Sequence, residues 1–229
     1  MRREVIRPVL SGLSPLRVMS SALAAGTPLA EATTALVLVH GRGATAQSIV
    51  GLGVEVARGL DGVALLAPQA PGGTWYPNSF LAPLAANEPH LTRAIASVVG
   101  AVERARDAGV RRVVLGGFSQ GACLAFEVAA RHGAPLGLAA AFGLSGALIG
   151  TADAPDGDKR FDYPDRLDGV PVFAGLADVD AHVPPARFQV TAAVFERLGA
   201  AADFRVYPGL GHAVNAAEVE AVRALVAGA

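Results

Sequence analysis

Six apolar runs with almost no polar interruption recur along the chain: ALVLV (35–39), VALLA (63–67), RVVLG (112–116), LAAAFGL (138–144), PVFAGL (171–176) and FRVYP (204–208). A strand with one wet face alternates apolar and polar side chains. These runs scarcely alternate, so each is predicted to be a strand buried on both faces. The stretches between them, 46–60, 88–108, 120–132, 184–198 and 216–227, carry apolar residues at helical spacing. In 88–108, for example, Leu91, Ile95, Val98, Val99 and Val102 fall on one stripe. Strands and helices in this alternation predict an α/β fold, a mostly parallel, doubly wound sheet with helices on both faces and right-handed crossovers.

Ligands bind such sheets at the carboxyl ends of the strands. Two irregular stretches, 69–89 and 150–169, each follow a strand and are expected to rim that end. Neither is long enough to form a separate lid domain. Residues 1–25, with Arg2, Arg3, Arg7, Pro8, Pro15 and Arg17 among apolar patches, make a poor secretory signal. They are expected to form a loose N-terminal arm, with a start at Met19 as the alternative, ahead of a single domain over 26–229.

Charge and cysteine content narrow the function classes. Lys and Arg number 19 against 20 Asp and Glu, which leaves no electrostatic footprint for nucleic acid. The uncharged stretch 134–150 is 17 residues long but broken by glycines and a proline, so it reads as a buried strand plus loop, and no stable membrane insertion is expected. Cys123 is the single cysteine, which fits a reducing, cytoplasmic setting.

The run at 112–116 ends in GGFSQGAC, with Ser119 between Gly117 and Gly121 and a helical pattern directly after it. A chain with 27 glycines yields about 0.1 chance matches to GxSxG, so the motif acquires weight only from its context. A strand before and a helix after are the context of a nucleophile elbow, where a strained serine stands above the sheet. The plainer reading is a glycine turn whose serine caps the helix.

A serine needs a base at a neighbouring strand end. His212, in YPGLGHAVN, follows the last strand and comes late in the chain, in the order Ser, Asp or Glu, His. His182 also follows a strand and is its rival; His90 and His132 fall in helical segments, and His40 precedes a glycine turn. The carboxylate that would hold the imidazole is Asp178 or Asp180, both in AGLADVDAHVP, and spacing does not separate them. Two backbone donors must face the developing oxyanion. The amide of Gln120, next after the serine, is one, and the loop LVLVHGRGAT is expected to supply the other.

Together GFSQG, HGRGA, the DxHVP segment and GLGHAV resemble the phospholipase/carboxylesterase branch of the α/β-hydrolases, which includes acyl-protein thioesterase-like enzymes, and TWYPNSFLAP with NEP resembles a subgroup of small bacterial esterases. The resemblance runs from about Gly26 to the C-terminus. It implies the α/β-hydrolase fold, a Ser119–Asp180–His212 triad, and an oxyanion hole from the amides of Arg42 and Gln120. It favours Asp180 because two residues and then Val183–Pro184 follow it, although Gly175 lies further from that aspartate than is usual. It further implies a small-molecule ester substrate, no cofactor, no metal, and a homodimer as the expected assembly. Gly41, Trp75, Phe80 and His182 are the candidate substrate contacts. A thioesterase, a lactone or carbon–carbon bond hydrolase, and a noncatalytic binding module are the alternatives.

Overall fold

In the computed structural model, residues 22–151, 159, 161–209 and 211–228 are described. Seven strands, β1 (Leu23–Gly26), β2 (Thr34–Val39), β3 (Val63–Ala67), β4 (Arg112–Phe118), β5 (Ala140–Leu144), β6 (Pro171–Ala177) and β7 (Ala201–Tyr207), form one sheet. Their order is β1-β3-β2-β4-β5-β6-β7, with β1 antiparallel to β3 and every other pair parallel. After β2 the chain moves out to β3 and then returns to the other side of β2 for β4. The loops leaving β2 and β4 therefore part at the centre of the sheet, where Val39 pairs with Gly117, and open a crevice there.

Burial on both faces accounts for the unbroken apolar runs. Leu36 and Leu38 of β2, Phe142 of β5 and Phe173 of β6 pack on one face beneath α1 (Ala46–Val56) and, after β7, α6 (Ala216–Ala227). Val37 and Val39, Leu115 of β4 and Ala174 of β6 face the other way, into a larger cluster. That cluster is covered by α3 (His90–Asp107), which follows the short α2 (Leu84–Asn87), and by α4 (Gln120–Leu136) and α5 (Pro185–Arg197). No described helix is long and apolar enough to cross a membrane.

Several boundaries differ from expectation for local reasons. Residues 23–25, assigned to the arm, belong to β1, whose short pairing with β3 leaves little apolar pattern to read; residues 1–21 lie outside the described part. α4 continues past His132 because Gly133 is not a stop: a Cβ there would come within 2.8 Å of Leu167, and the helix instead ends at left-handed Gly137. β7 starts at Ala201, ahead of the run at 204, because an edge strand with exposed positions does not need the apolar signature of a central one. Residues 152–158 and 160 of the irregular stretch 150–169 fall outside the description.

After β5 the chain makes a loop, 145–150, that is buried throughout. Side chains bond several of its main-chain groups, while the N–H groups of Ser145 and Gly150 donate to the Gly175 and Phe80 carbonyls. The N–H of Leu148 donates to Thr191 Oγ1 (3.1 Å) and that of Ile149 to Glu127 Oε2 (3.3 Å). Arg187 donates to the carbonyls of Leu148 (3.1 Å) and Gly150 (2.6 Å), and Lys159 Nζ to that of Ile149 (2.7 Å). Lys159 also meets the fully buried Glu127 carboxylate, 2.6 Å from Oε1, where Arg131 joins it at 2.5 Å. Burial pushes the Lys159 ammonium down to about 8 even against the pull of Glu127.

α4 approaches β2 closely, backbone against backbone. A Cβ on Gly121 would stand 2.0 Å from the Val39 carbonyl oxygen, and one on Gly117 2.5 Å from the same atom. Gly51, in α1, has nothing within 4 Å of its Cβ position. Gly121→Ala should accordingly cost about 3 kcal/mol or more, since backbone cannot step aside as a side chain can. Gly51→Ala should stabilise by about 0.5–1 kcal/mol through helix propensity and unfolded-chain entropy. Urea unfolding of the two variants beside the parent measures both.

Candidate active site

Ser119 sits between β4 and α4 with φ 56° and ψ −122°, a conformation that costs a non-glycine residue energy and persists only where its surroundings impose it. Its N–H donates to the Leu144 carbonyl (2.9 Å), and the glycines on either side let α4 close against β2. Although Ser119 is the residue before α4, its side chain does not cap the helix. Its Oγ lies instead 2.8 Å from His212 Nε2. The plainer reading of the motif, a capping serine, does not describe this geometry.

His212 comes from the loop between β7 and α6. Its Nδ1 is 2.7 Å from Asp180 Oδ2, and Asp180 Oδ1 accepts from the N–H groups of His182 (2.8 Å) and Val183 (3.1 Å). Burial alone would raise the Asp180 carboxyl. The bonds from His212, His182 and Val183, with the nearby imidazole, outweigh it and hold the group below the ordinary carboxylate range. Asp178 has another partner: its Oδ1 accepts from the Gly209 N–H (2.8 Å), tying the end of β6 to the loop that carries His212. Of the two aspartates that spacing leaves open, Asp180 is the one on the imidazole. His182 packs edge-on against the His212 ring at 4.6 Å, and Phe118 lies on it at 5.0 Å.

The loop after β2 reaches the same place. Among the described residues, the main-chain N–H groups of Arg42 and Gln120 have no protein acceptor. The Arg42 guanidinium is anchored on the carbonyls of Pro77 (2.9 Å) and Asn78 (2.6 Å). The Gln120 side chain accepts from the Trp75 N–H (3.0 Å) and donates to the Tyr76 carbonyl (2.8 Å), holding the loop after β3 over the site. Among the described residues no group of three or more His, Cys, Asp or Glu converges to hold a metal ion.

A family model described as Phospholipase/Carboxylesterase matches residues 24–227. The chain belongs to that family. A phospholipase/carboxylesterase from Dyadobacter fermentans is 32% identical and superposes with a TM-score of 0.79, over 90% of this chain and 95% of its own. Esterase PE8 (23% identity, TM-score 0.73, 91% of this chain and 98% of its own) and the Bacillus cereus carboxylesterase (18%, 0.68, 92% and 95%) share the fold. Comparison with curated protein sequences gives no significant match. The seven-stranded, mostly parallel sheet with helices on both faces is thus the α/β-hydrolase fold that the resemblance implies.

In this carboxylesterase-family chain a cavity of about 460 Å³ opens beside Ser119 and His212, with Arg42, Tyr76, Phe80 and His182 in its walls. Phe80 and His182 are therefore placed as substrate contacts would be. Trp75 is not. It is buried, its indole N–H donates to the His40 carbonyl (2.8 Å) and its ring packs on His40 at 4.9 Å, so it braces the loop from beneath. The chain bends at both Trp75 and Tyr76, and of the two only Tyr76 lines the cavity. Gly41 lines a separate hollow behind Phe118, although a Cβ on it would lie only 3.4 Å from that of Ser119. Ser145 and Cys123, which the motifs do not single out, also line the cavity. A signal existed for each: Ser145 closes an apolar run directly before Gly146, and Cys123 lies one helical turn after Ser119. Burial pushes the Cys123 thiol up to about 12, which keeps it protonated and unreactive.

His40 is wholly buried and serves the site as a neutral post. Its Nε2 accepts from the Ala70 N–H (3.1 Å), so Nδ1 carries the proton and donates to the Gly41 carbonyl (2.8 Å). Burial lowers its proton affinity more than the bond to Gly41 raises it. The folded chain then binds fewer protons at this residue than the unfolded one, whose imidazole titrates at 6.5. The stability it contributes is complete above that pH and is lost as pH falls through the lower folded value. Urea unfolding between pH 7.5 and 5 should show stability declining, and His40→Gln, weaker at pH 7.5, should show a shallower decline.

Proposed function

We propose that this chain is a serine hydrolase of carboxylic esters that works through an acyl-enzyme. The observation that carries the reading is the unbroken chain Ser119 Oγ–His212–Asp180, at 2.8 and 2.7 Å, beside two backbone N–H groups without protein acceptors. His212 Nε2 takes the hydroxyl proton as Ser119 Oγ bonds to the acyl carbon, and the carbonyl π pair moves onto its oxygen. The N–H groups of Arg42 and Gln120 receive that oxyanion, assisted by the positive end of α4. Collapse re-forms the carbonyl and breaks the bond to the leaving alkoxide, which takes the proton from His212. Water, deprotonated by the same nitrogen, then attacks the acyl-enzyme; the acid leaves and Ser119 recovers its proton. Asp180 fixes the tautomer in which Nε2 can accept, and stabilises the imidazolium formed in each half.

Hydrolysis of 4-nitrophenyl butanoate tests this directly. Ser119→Ala should lose at least about a thousandfold in kcat/KM, and a fluorophosphonate probe should label the parent at Ser119 and leave the variant unlabelled. Parent-like turnover by Ser119→Ala would sink the assignment. The two aspartates should also separate: Asp180→Asn should cut kcat by about four orders of magnitude, whereas Asp178→Asn, which removes a loop brace, should cost far less. Equal losses would mean that Asp180 has no special part in the chemistry.

A further inference from the structure

Many polar groups around the cavity have partners among the described residues, which makes the buried exceptions informative. The buried loop 145–150 has several of its main-chain groups met by Thr191, Glu127, Arg187 and Lys159, as described above, and the Ala147 N–H points at Cys123 Sγ (3.4 Å). Yet the side chain that opens this loop is left over. Ser145, 1% exposed and held at φ 54°, has a hydroxyl with no partner. Tyr76, also 1% exposed and lining the same cavity, turns its hydroxyl towards the Cys123 thiol, a weak acceptor, and among the described residues it has no nitrogen or oxygen partner. Both residues line the space into which Ser119 opens.

A buried hydroxyl without a partner forfeits the water it gave up, and a wholly aliphatic substrate seated here would seal that loss in. A substrate carrying an oxygen at the right depth would remove it, since each hydroxyl can either donate or accept. We propose that Tyr76 and Ser145 form a recognition subsite for a hydroxyl or keto oxygen on the substrate, so that the preferred esters are short and oxygen-bearing rather than plain alkyl. This rests on the ester-hydrolase reading above and adds the substrate class. Sites built to bond a polar group reject the analogue lacking it more strongly than apolar pockets reject an extra methylene. Ser145 and Tyr76 therefore set specificity without touching the bond that breaks.

The test compares two matched pairs of esters, because the oxygen can lie on either half of the substrate. One pair is 4-nitrophenyl 3-hydroxybutanoate against 4-nitrophenyl butanoate. The other is the butanoate of 1,2-propanediol against that of 1-propanol. The parent should favour the oxygen-bearing member of one pair by about tenfold or more in kcat/KM, and the pair showing it identifies the half that enters the cavity. Tyr76→Phe and Ser145→Ala should each pull that ratio towards one. Ser145→Gly, which accepts φ 54° without strain, should do the same and guards against a folding defect in the alanine variant. Ratios near one in both pairs for the parent, or a preference that survives all three substitutions, would overturn the subsite while leaving the esterase reading intact. A parent that hydrolyses none of the four esters would remove both.

Discussion

The contact between the first turn of α4 and the end of β2 governs the geometry of this molecule's candidate active site. With the Val39 carbonyl occupying the space of two missing Cβ atoms, at Gly117 and Gly121, the chain must turn from strand to helix within a single residue. That residue is Ser119, and the turn forces it to positive φ. The strain is local and is offset by the packing of α4 on both β4 and β2. Two further features accompany the same contact. The helix starts without a side-chain cap, and the loop leaving β2 comes close to Ser119, with a Cβ on Gly41 only 3.4 Å from that of Ser119.

Around this turn, loops are fixed by side chains more than by regular structure. His40 and Gln120 hold the segment that follows β3, one through its Nε2 and the other through its amide, while the Trp75 indole closes on the His40 carbonyl. On the opposite side Asp178 and Asp180, two residues apart, separate two tasks. Asp178 ties down the loop that delivers His212, and Asp180 meets the imidazole itself. An aspartate performing both would have to divide its oxygens between a moving ring and a loop. The bonds from His182 and Val183 instead occupy the second oxygen of Asp180 and leave Oδ2 to His212.

Much of this was legible from the sequence, and the unreadable parts share a cause. Doubly buried strands announce themselves as apolar runs, so β2 to β6 and the helices between them could be located, and with them the strand ends that must converge. GFSQG, HGRG and the late histidine then had one place to go. The edge strands β1 and β7 were harder to read because exposed positions dilute the pattern. Asp178 and Asp180 could not be told apart by spacing because each can face the site, depending on a turn whose backbone the sequence does not specify. Trp75 was misread as a cavity wall because an aromatic in a long loop shows no periodicity from which its direction can be inferred. The supporting roles of His40 and of the Gln120 side chain depend on partners 30 and 45 residues away, which no local motif encodes.

Buried charges of the scaffold are mostly paired, although Arg106 Nε in α3 also lies buried without a partner among the described residues. In the scaffold, burial of a charge is matched by partners: Glu127 gathers Lys159, Arg131 and a main-chain N–H, and Arg187 spans two carbonyls of the loop after β5. An unmatched group in such a place would cost stability with nothing gained. Beside Ser119 the balance differs. Among the described residues the Ser145 hydroxyl and the N–H groups of Arg42 and Gln120 have no protein partner there, and the Tyr76 hydroxyl has only the Cys123 thiol. On the proposed reading, that shortfall in the free protein would become selectivity in a complex, because a molecule carrying oxygens in matching positions would remove it.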